Sequence, residues 1–185
     1  MINQPELSDR TILIRPFQPT DVNVLYEAVR ESMNELRPWM PWCHANYSIE
    51  DTAVWLMSRD EALAKGTDYS FAICDERTGT FLGSVGLNKI DHLNRNANLG
   101  YWVRTNSIRR GVATSATRLL AMWSFNVLGL QRIEIVASVE NLASQRVAVK
   151  AGAQREGVMR RALWLNERAH DAVLTSLVPE DLSGA

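Results

Sequence analysis

Between Asp91 and Glu134 the chain carries no acidic residue, yet Arg95, Arg104, Arg109, Arg110, Arg118 and Arg132 all fall inside that span. In a chain of 20 basic and 21 acidic side chains, with a net charge of −1, this is a local field able to attract an anion. It is centred on Y-W-V-R-T-N-S-I-R-R-G-V-A-T (101–114), where a strand pattern gives way to a helical one. Gly111 and Ala113 remove side-chain bulk where that helix begins, and its first N–H groups have no partner inside the helix. Such a start binds phosphate through backbone donors and the positive end of the helix dipole. The bland alternative is a set of arginines on solvated faces. G-K-[ST] and G-x-G-x-x-G are both missing, which sets aside a Walker loop and a dinucleotide fingerprint.

The elements that position this junction can be read along the chain. T-I-L-I-R (11–15) alternates and predicts a first strand. Asp21 predicts the cap of a helix through about Ser32, and Ser48 with Asp51 a capping box for a second helix ending at Lys65–Gly66. The prolines of L-R-P-W-M-P-W (36–42) break the chain between them. Strand-like runs follow at Tyr69–Cys74, Phe81–Ile90 and Ala97–Arg104. A helix spans about Gly111 to Leu128, then come a strand (133–139), a helix (Leu142–Ala151, stopped at Gly152) and two strands (about 154–165 and 169–178) joined by N-E-R. The order β-α-α-β-β-β-α-β-α-β-β predicts an α/β (α+β) fold, a mixed sheet with few βαβ repeats rather than a doubly wound nucleotide fold.

Length and composition fit one domain over residues 1–185. The chain has 185 residues, 46% hydrophobic and 22% charged, close to the average globular composition. The near-neutral charge argues against a nucleic-acid or anionic-membrane binder. No run approaches the ~18 apolar residues of a membrane helix, and M-I-N-Q-P-E-L-S-D-R does not read as a signal peptide. Cys43 and Cys74 lack C-x-x-C spacing, so no metal is expected, and they read as free thiols of a reducing cytoplasm.

Four ordered pieces give the chain a resemblance to the GNAT superfamily of N-acetyltransferases, in particular the RimJ/RimL-like branch that acetylates protein N-termini and related amines. I-R-R-G-V-A (108–113) resembles that family's [QR]-x-x-G-x-[GA], with Ile108 at the first position. N-L-A-S-Q-R-V-A-V-K-A-G-A (141–153) resembles N-x-x-[AS]-x-x-x-x-x-K-x-G-F, with Ala153 in place of Phe. R-E-G-V-M-R-R-A-L-W-L-N-E-R-A-H-D (155–171) resembles the ending of the branch, and L-R-P-W-M-P-W is the fourth piece. The likeness covers about residues 10–178. It implies the GNAT fold, a mostly antiparallel seven-stranded sheet flanked by about four helices, with acetyl-CoA as cosubstrate.

The resemblance also implies site residues. Backbone amides of Arg109, Arg110, Gly111, Val112, Ala113 and Thr114 would grip the pyrophosphate. The preceding strand would splay from its neighbour and hold the pantetheine near Trp102, Val103 and Arg104. Asn141 would contact the cofactor arm, and Ser144 would sit near the thioester sulfur, where its hydroxyl could donate to the leaving group or merely cap a helix. The tyrosine that many relatives carry seven residues after the asparagine is Ala148 here. The strand position often holding a glutamate is Asn98, an acceptor-side residue that cannot take a proton. Glu156 is then the candidate base, against a salt bridge to Arg155 or Arg160. Trp39 and Trp42 would wall the amine side, or simply pack a connection between helices. His44 follows them, His92 and His170 read as solvated, and Trp55, Trp123 and Trp164 read as core or cleft lining.

An α-amine has a pKa of ~7.7–8.0 and a lysine ~10.4, so deprotonation at pH 7 costs about 1 against about 4.6 kcal/mol. A site with at most one carboxylate suits the α-amine. The expectation is an acetyl-CoA-dependent N-acetyltransferase of a protein or peptide N-terminal α-amine, cytoplasmic, independent of nucleic acid and membrane, with a homodimer allowed. The alternatives are a small-amine acetyltransferase (antibiotic or polyamine), a non-catalytic acyl-CoA sensor, and an RNA-associated module using the arginines.

Overall fold

A computed structural model describes residues 5–182. Its strands are β1 (Leu7–Ser8), β2 (Ile12–Pro16), β3 (Tyr69–Asp75), β4 (Phe81–Asp91), β5 (Asn96–Val103), β6 (Arg132–Ser138), β7 (Gln154–Leu165) and β8 (Arg168–Leu177). They form one sheet in the spatial order β1-β2-β3-β4-β5-β6-β8-β7. Every neighbouring pair is antiparallel except β5–β6. Helices α1 (Val22–Glu31), α2 (Met33–Leu36), α3 (Ile49–Met57) and α4 (Arg59–Ala64) lie between β2 and β3. Helix α5 (Val112–Asn126) is the crossover from β5 to β6, and α6 (Leu142–Ala151) leads from β6 to β7.

Strand alternation gives the sheet two apolar faces. Ile12, Ile14, Phe71, Ile73, Val85, Leu87 and Leu99 share one core with Ala116, Leu120, Ala121 and Trp123 of α5. Ala72, Cys74, Phe81 and Trp102 share the other with Leu25, Ala28 and Val29 of α1 and Leu56 of α3. The site lies where β5 and β6 diverge.

The mixed, mostly antiparallel sheet agrees with the sequence reading, while the element count differs. An eighth strand, β1, adds a short edge next to β2. The expected helix over 48–65 divides at Ser58, whose hydroxyl donates to Trp55 O at 2.7 Å and competes with the helix ladder. A separate α2 follows α1 because Ser32 leaves helical geometry (φ −100, ψ 10) and its Oγ accepts from Thr105 N–H at 3.0 Å. The capping box is present: Ser48 N–H donates to Asp51 Oδ2 at 2.8 Å, and Asp51 N–H to Ser48 Oγ at 3.3 Å. Asp21 does not cap α1 with its side chain. It is buried, and Arg15 donates to both its oxygens at 2.7 and 2.8 Å. Helix α5 ends at Asn126, before the expected stop at Gly129, whereas α6 ends on Gly152 as expected.

Candidate active site

The parallel pair β5–β6 is joined only at Asn96–Asn98 with Arg132–Glu134. Beyond Asn98 the two strands diverge, so the β6-facing edge of Leu99 to Val103 has no strand partner among the described residues. This is a fork in the sheet, with unpaired backbone donors and acceptors along one prong. Asn98 sits at its base, where its Nδ2 donates to Asn88 Oδ1 at 3.0 Å. Trp102 is buried against Trp42 and Phe81, with ring centroids at 6.2 and 5.9 Å. Arg104 closes the prong on its other side: its N–H donates to Leu82 O at 2.7 Å, and its guanidinium pairs with Glu31 at 2.5 Å.

Beyond the fork the chain turns into α5. Gly111 is the N-cap residue in the left-handed region (φ 81), a conformation that glycine adopts without the Cβ penalty, and no side chain caps the helix. The ladder starts at Ser115 N–H to Gly111 O (3.0 Å), so the N–H groups of Val112, Ala113 and Thr114 are free of it. Arg109 and Arg110 are exposed beside them, and among the described residues neither forms an ion pair. The field is less purely basic in space than in sequence, because the Asp9 carboxylate lies against Ser115 in this first turn. Three of the six arginines are also spent elsewhere: Arg104 on Glu31, Arg132 on Glu134 and Glu156, and Arg118 on the Ala151 carbonyl. The open helix start next to an unpaired strand edge fits a pyrophosphate with a peptide-like arm, the shape of acetyl-CoA.

The other prong of the fork leads to the head of α6. Asn141 is its N-cap, with Oδ1 accepting from Ser144 N–H at 3.0 Å. That commits Oδ1 to the cap and leaves the amide NH2 as its remaining donor. Ser144 Oγ lies 3.0 Å from the phenolic oxygen of Tyr101, which also donates to Ser144 O at 3.0 Å. Burial pushes the Tyr101 phenol up to about 12, so it stays protonated. The sequence reading missed Tyr101. Its signal was alternation in L-G-Y-W-V-R, which turns Tyr101 away from the Trp102 face of β5.

On the acceptor side a cleft of about 570 Å³ opens between the sheet and the α1–α3 layer. Ser70, Gly86 and Gly100 stand in register across β3, β4 and β5 and line it. A Cβ on Gly100 would meet nothing nearer than Asn88 Nδ2 at 3.9 Å, so the missing side chain there is open space. Met40, Trp42, Tyr47 and Trp55 line the opposite side together with His44 and the Asp51 carboxylate, while Asp68 sits beside β3, accepting from Ser70 Oγ at 2.5 Å and paired with Arg59 at 3.1 Å. Trp42 packs on Tyr47 at 5.9 Å. Trp39 is half-buried and does not line the cleft. Its N–H closes a turn onto Leu36 O, and of the proline-broken segment Met40 and Trp42 reach the acceptor side. Asn166 of the β7–β8 turn steadies that segment by donating to Pro38 O at 3.2 Å.

Glu156 stands apart from this constellation. Arg132 donates to its two oxygens at 2.5 and 2.7 Å, and Ser176 Oγ donates at 2.5 Å. The Arg132 hydrogen bond, then that of Ser176, lowers its pKa to about 2. Strands β6 and β8 separate its strand from β5, about 14 Å at the usual interstrand spacing. In the structure Glu156 forms an ion pair, and with Arg132 rather than Arg155 or Arg160. His170, expected to be solvated, is corrected. It is buried, its Nδ1 3.4 Å from Ser138 Oγ and its Nε2 without a partner among the described residues. His92 is exposed, and Trp164 is 67% exposed on β7, outside both core and cleft.

Cys43 and Cys74 are buried free thiols. Among the described residues no helix is long and apolar enough to cross a membrane.

A family model for the acetyltransferase (GNAT) domain matches residues 11–154. YdaF of Bacillus subtilis (strain 168), provisionally named a ribosomal N-acetyltransferase, is 29% identical over 94% of this chain and 94% of its own. The ribosomal-protein-serine acetyltransferase of Escherichia coli (strain K12) is 27% identical, covering 83% of this chain and 84% of that protein. RimJ of Mycobacterium smegmatis in complex with CoA-disulfide shares the fold with a TM-score of 0.86 at 23% identity, over 98% of this chain and 90% of that one. Since the matched span runs through the fork, the open start of α5 and the head of α6, the chain belongs to the GNAT acetyltransferase family and is an acetyl-CoA-dependent N-acetyltransferase.

Proposed function

We propose that the acceptor is the α-amine of a protein or peptide N terminus, with ribosomal proteins the class suggested by the names of YdaF and the Escherichia coli relative. The observation that carries this reading is the commitment of both Glu156 oxygens to Arg132 and Ser176 on the edge strand of the sheet, three strands from β5. With Glu156 committed in this way, the cost of presenting a neutral amine at pH 7 is set by the pKa of the amine itself. The α-amine is favoured over lysine by about 3.6 kcal/mol at pH 7, or about 400-fold.

In this reading Val112, Ala113 and Thr114 N–H groups receive the pyrophosphate, with Arg109, Arg110 and Gly111 shaping that turn. Trp102, Val103 and Arg104 carry the strand edge along which the pantetheine lies. Asn141 orders the head of α6 so that the Ser144 hydroxyl can donate to the departing sulfur, whose charge also meets the positive end of α6. Asn98 and Asn88 bracket the base of the fork, and Trp42 bounds the amine side.

The Asp51 carboxylate in an aromatic-lined cleft favours a second reading, a small polyamine held by that carboxylate and the ring faces. Initial rates of thiol release from acetyl-CoA separate the two. A peptide with a free N terminus should exceed its N-blocked, lysine-containing counterpart by at least about 100-fold in kcat/KM. A polyamine outrunning every peptide would overturn the first reading in favour of the second.

A further inference from the structure

We infer that Tyr101 is a positioning residue for acetyl transfer: its hydroxyl controls where the single hydrogen of Ser144 Oγ points, making the donor to the departing sulfur a chain of two hydroxyls. The inference rests on the role proposed above for Ser144.

Hydrogen counting carries it. The Tyr101 oxygen lies 3.0 Å from Ser144 O and 3.0 Å from Ser144 Oγ. A backbone carbonyl only accepts, and a phenol has one hydrogen. When that hydrogen rests on Ser144 O, the contact with Oγ is filled by the serine hydroxyl donating to the phenol oxygen. The serine hydrogen then points at Tyr101. When the phenol hydrogen turns onto Oγ instead, the serine hydrogen is released for a third partner. A negatively charged sulfur appearing beside Ser144 is a stronger acceptor than a neutral phenol oxygen, and favours the second arrangement.

Burial supports this division of labour. The phenol, pushed up to about 12, holds its proton far more tightly than an ordinary thiol with a pKa of ~8.5. Tyr101 therefore remains a neutral donor and gives no proton to the sulfur. The amine nitrogen forms a bond to the acetyl carbon and releases its proton to water. The carbon–sulfur bond breaks with its electron pair on sulfur, which keeps its charge under the Ser144 hydrogen bond until water protonates it. Ala148, buried in the core, leaves the α6 side of the fork without a phenol. Tyr101 brings one from the β5 side, and the hydrogen bonds of its hydroxyl are both to Ser144.

The test is Tyr101→Phe, which keeps the ring and removes the hydroxyl, compared with Ser144→Ala and the double variant. Each is assayed with acetyl-CoA and with an acetyl thioester of a more acidic aryl thiol. Turnover of Tyr101→Phe should fall about 10–100-fold with acetyl-CoA, with its KM for acetyl-CoA within about threefold of the parent. The deficit should shrink with the aryl thioester, a ratio that does not depend on the folded fraction. The double variant should be no slower than the slower single variant, because the hydroxyls act as a unit. If Tyr101→Phe turns over within about twofold while Ser144→Ala is slow, Tyr101 only ties β5 to α6 and the inference fails. If Ser144→Ala is unimpaired but Tyr101→Phe is slow with the same leaving-group dependence, the Ser144 reading fails and Tyr101 acts on sulfur directly, which also overturns the positioning role.

Discussion

Replacing Glu156 by glutamine separates a structural ion pair from a catalytic base. The substitution leaves Ser176 an acceptor and Arg132 its second carboxylate, Glu134 at 3.0 Å, but removes the bidentate charge. Lowering the carboxyl from 4.5 to about 2 corresponds to about 3 kcal/mol before screening, at about 1.36 kcal/mol per pKa step. The Glu156 side chain is 38% exposed, so solvent reduces that to about 1 kcal/mol, the upper range of surface pairs. For a domain of this size that is a Tm lower by about 2–4 °C. A carboxyl depressed on folding contributes stability above its unfolded pKa and loses it as the pH falls through its folded one. The Tm gap between parent and Glu156→Gln should therefore be full above pH ~4.5 and close as the pH approaches ~2. Scanning calorimetry across that window, paired with kcat under saturating acetyl-CoA and peptide, reads both quantities. Turnover should stay within about twofold. A drop of about 10²–10⁴-fold with an altered pH profile and an unchanged Tm would refute the reasoning and restore Glu156 as the general base.

Other perturbations probe the remaining parts of the site. Gly111→Glu puts a side chain at φ 81 and a negative charge among the free N–H groups, so the Kd for acetyl-CoA by calorimetry should rise at least about 100-fold; unchanged affinity would move the phosphate site elsewhere. Trp42→Ala should raise the KM for the peptide several-fold and leave that for acetyl-CoA alone, whereas Trp39→Ala should change neither; equal losses in both constants would make Trp42 a folding residue. Gly100→Val projects its methyl groups into the cleft and should lower kcat/KM more for peptides with a bulky first residue than for those beginning with serine, at unchanged Tm. A uniform loss across peptides would place the first residue elsewhere.

Features encoded within a few residues are legible in the sequence. The start of α5 follows from glycine before an apolar run, the α3 cap from Ser48 and Asp51, and the β7–β8 turn from Asn166 and Glu167, both of which adopt positive φ. Features set by strand order are not. Glu156 meets Arg132 across 24 residues because β8 lies between β6 and β7. No periodicity within either segment reports that neighbour. Tyr101 and Ser144 are 43 residues apart and meet only because β5 and β6 diverge. His170 follows a turn and reads as solvated, yet its place on β8 turns it toward Ser138. Asp21 shows a different failure: an acid before an apolar run predicts a cap, but Arg15, six residues upstream, offers a stronger partner.

The most direct test of the account is where the acetyl group lands on a peptide that offers both a free N terminus and an internal lysine. After reaction with acetyl-CoA at pH 7, fragmentation mass spectrometry locates the added acetyl mass. A site that draws on the amine's own pKa predicts modification of the N-terminal residue with the lysine left free. Acetylation first at the lysine would contradict it, since that outcome requires a base or a desolvated ammonium site of which Glu156 is no part.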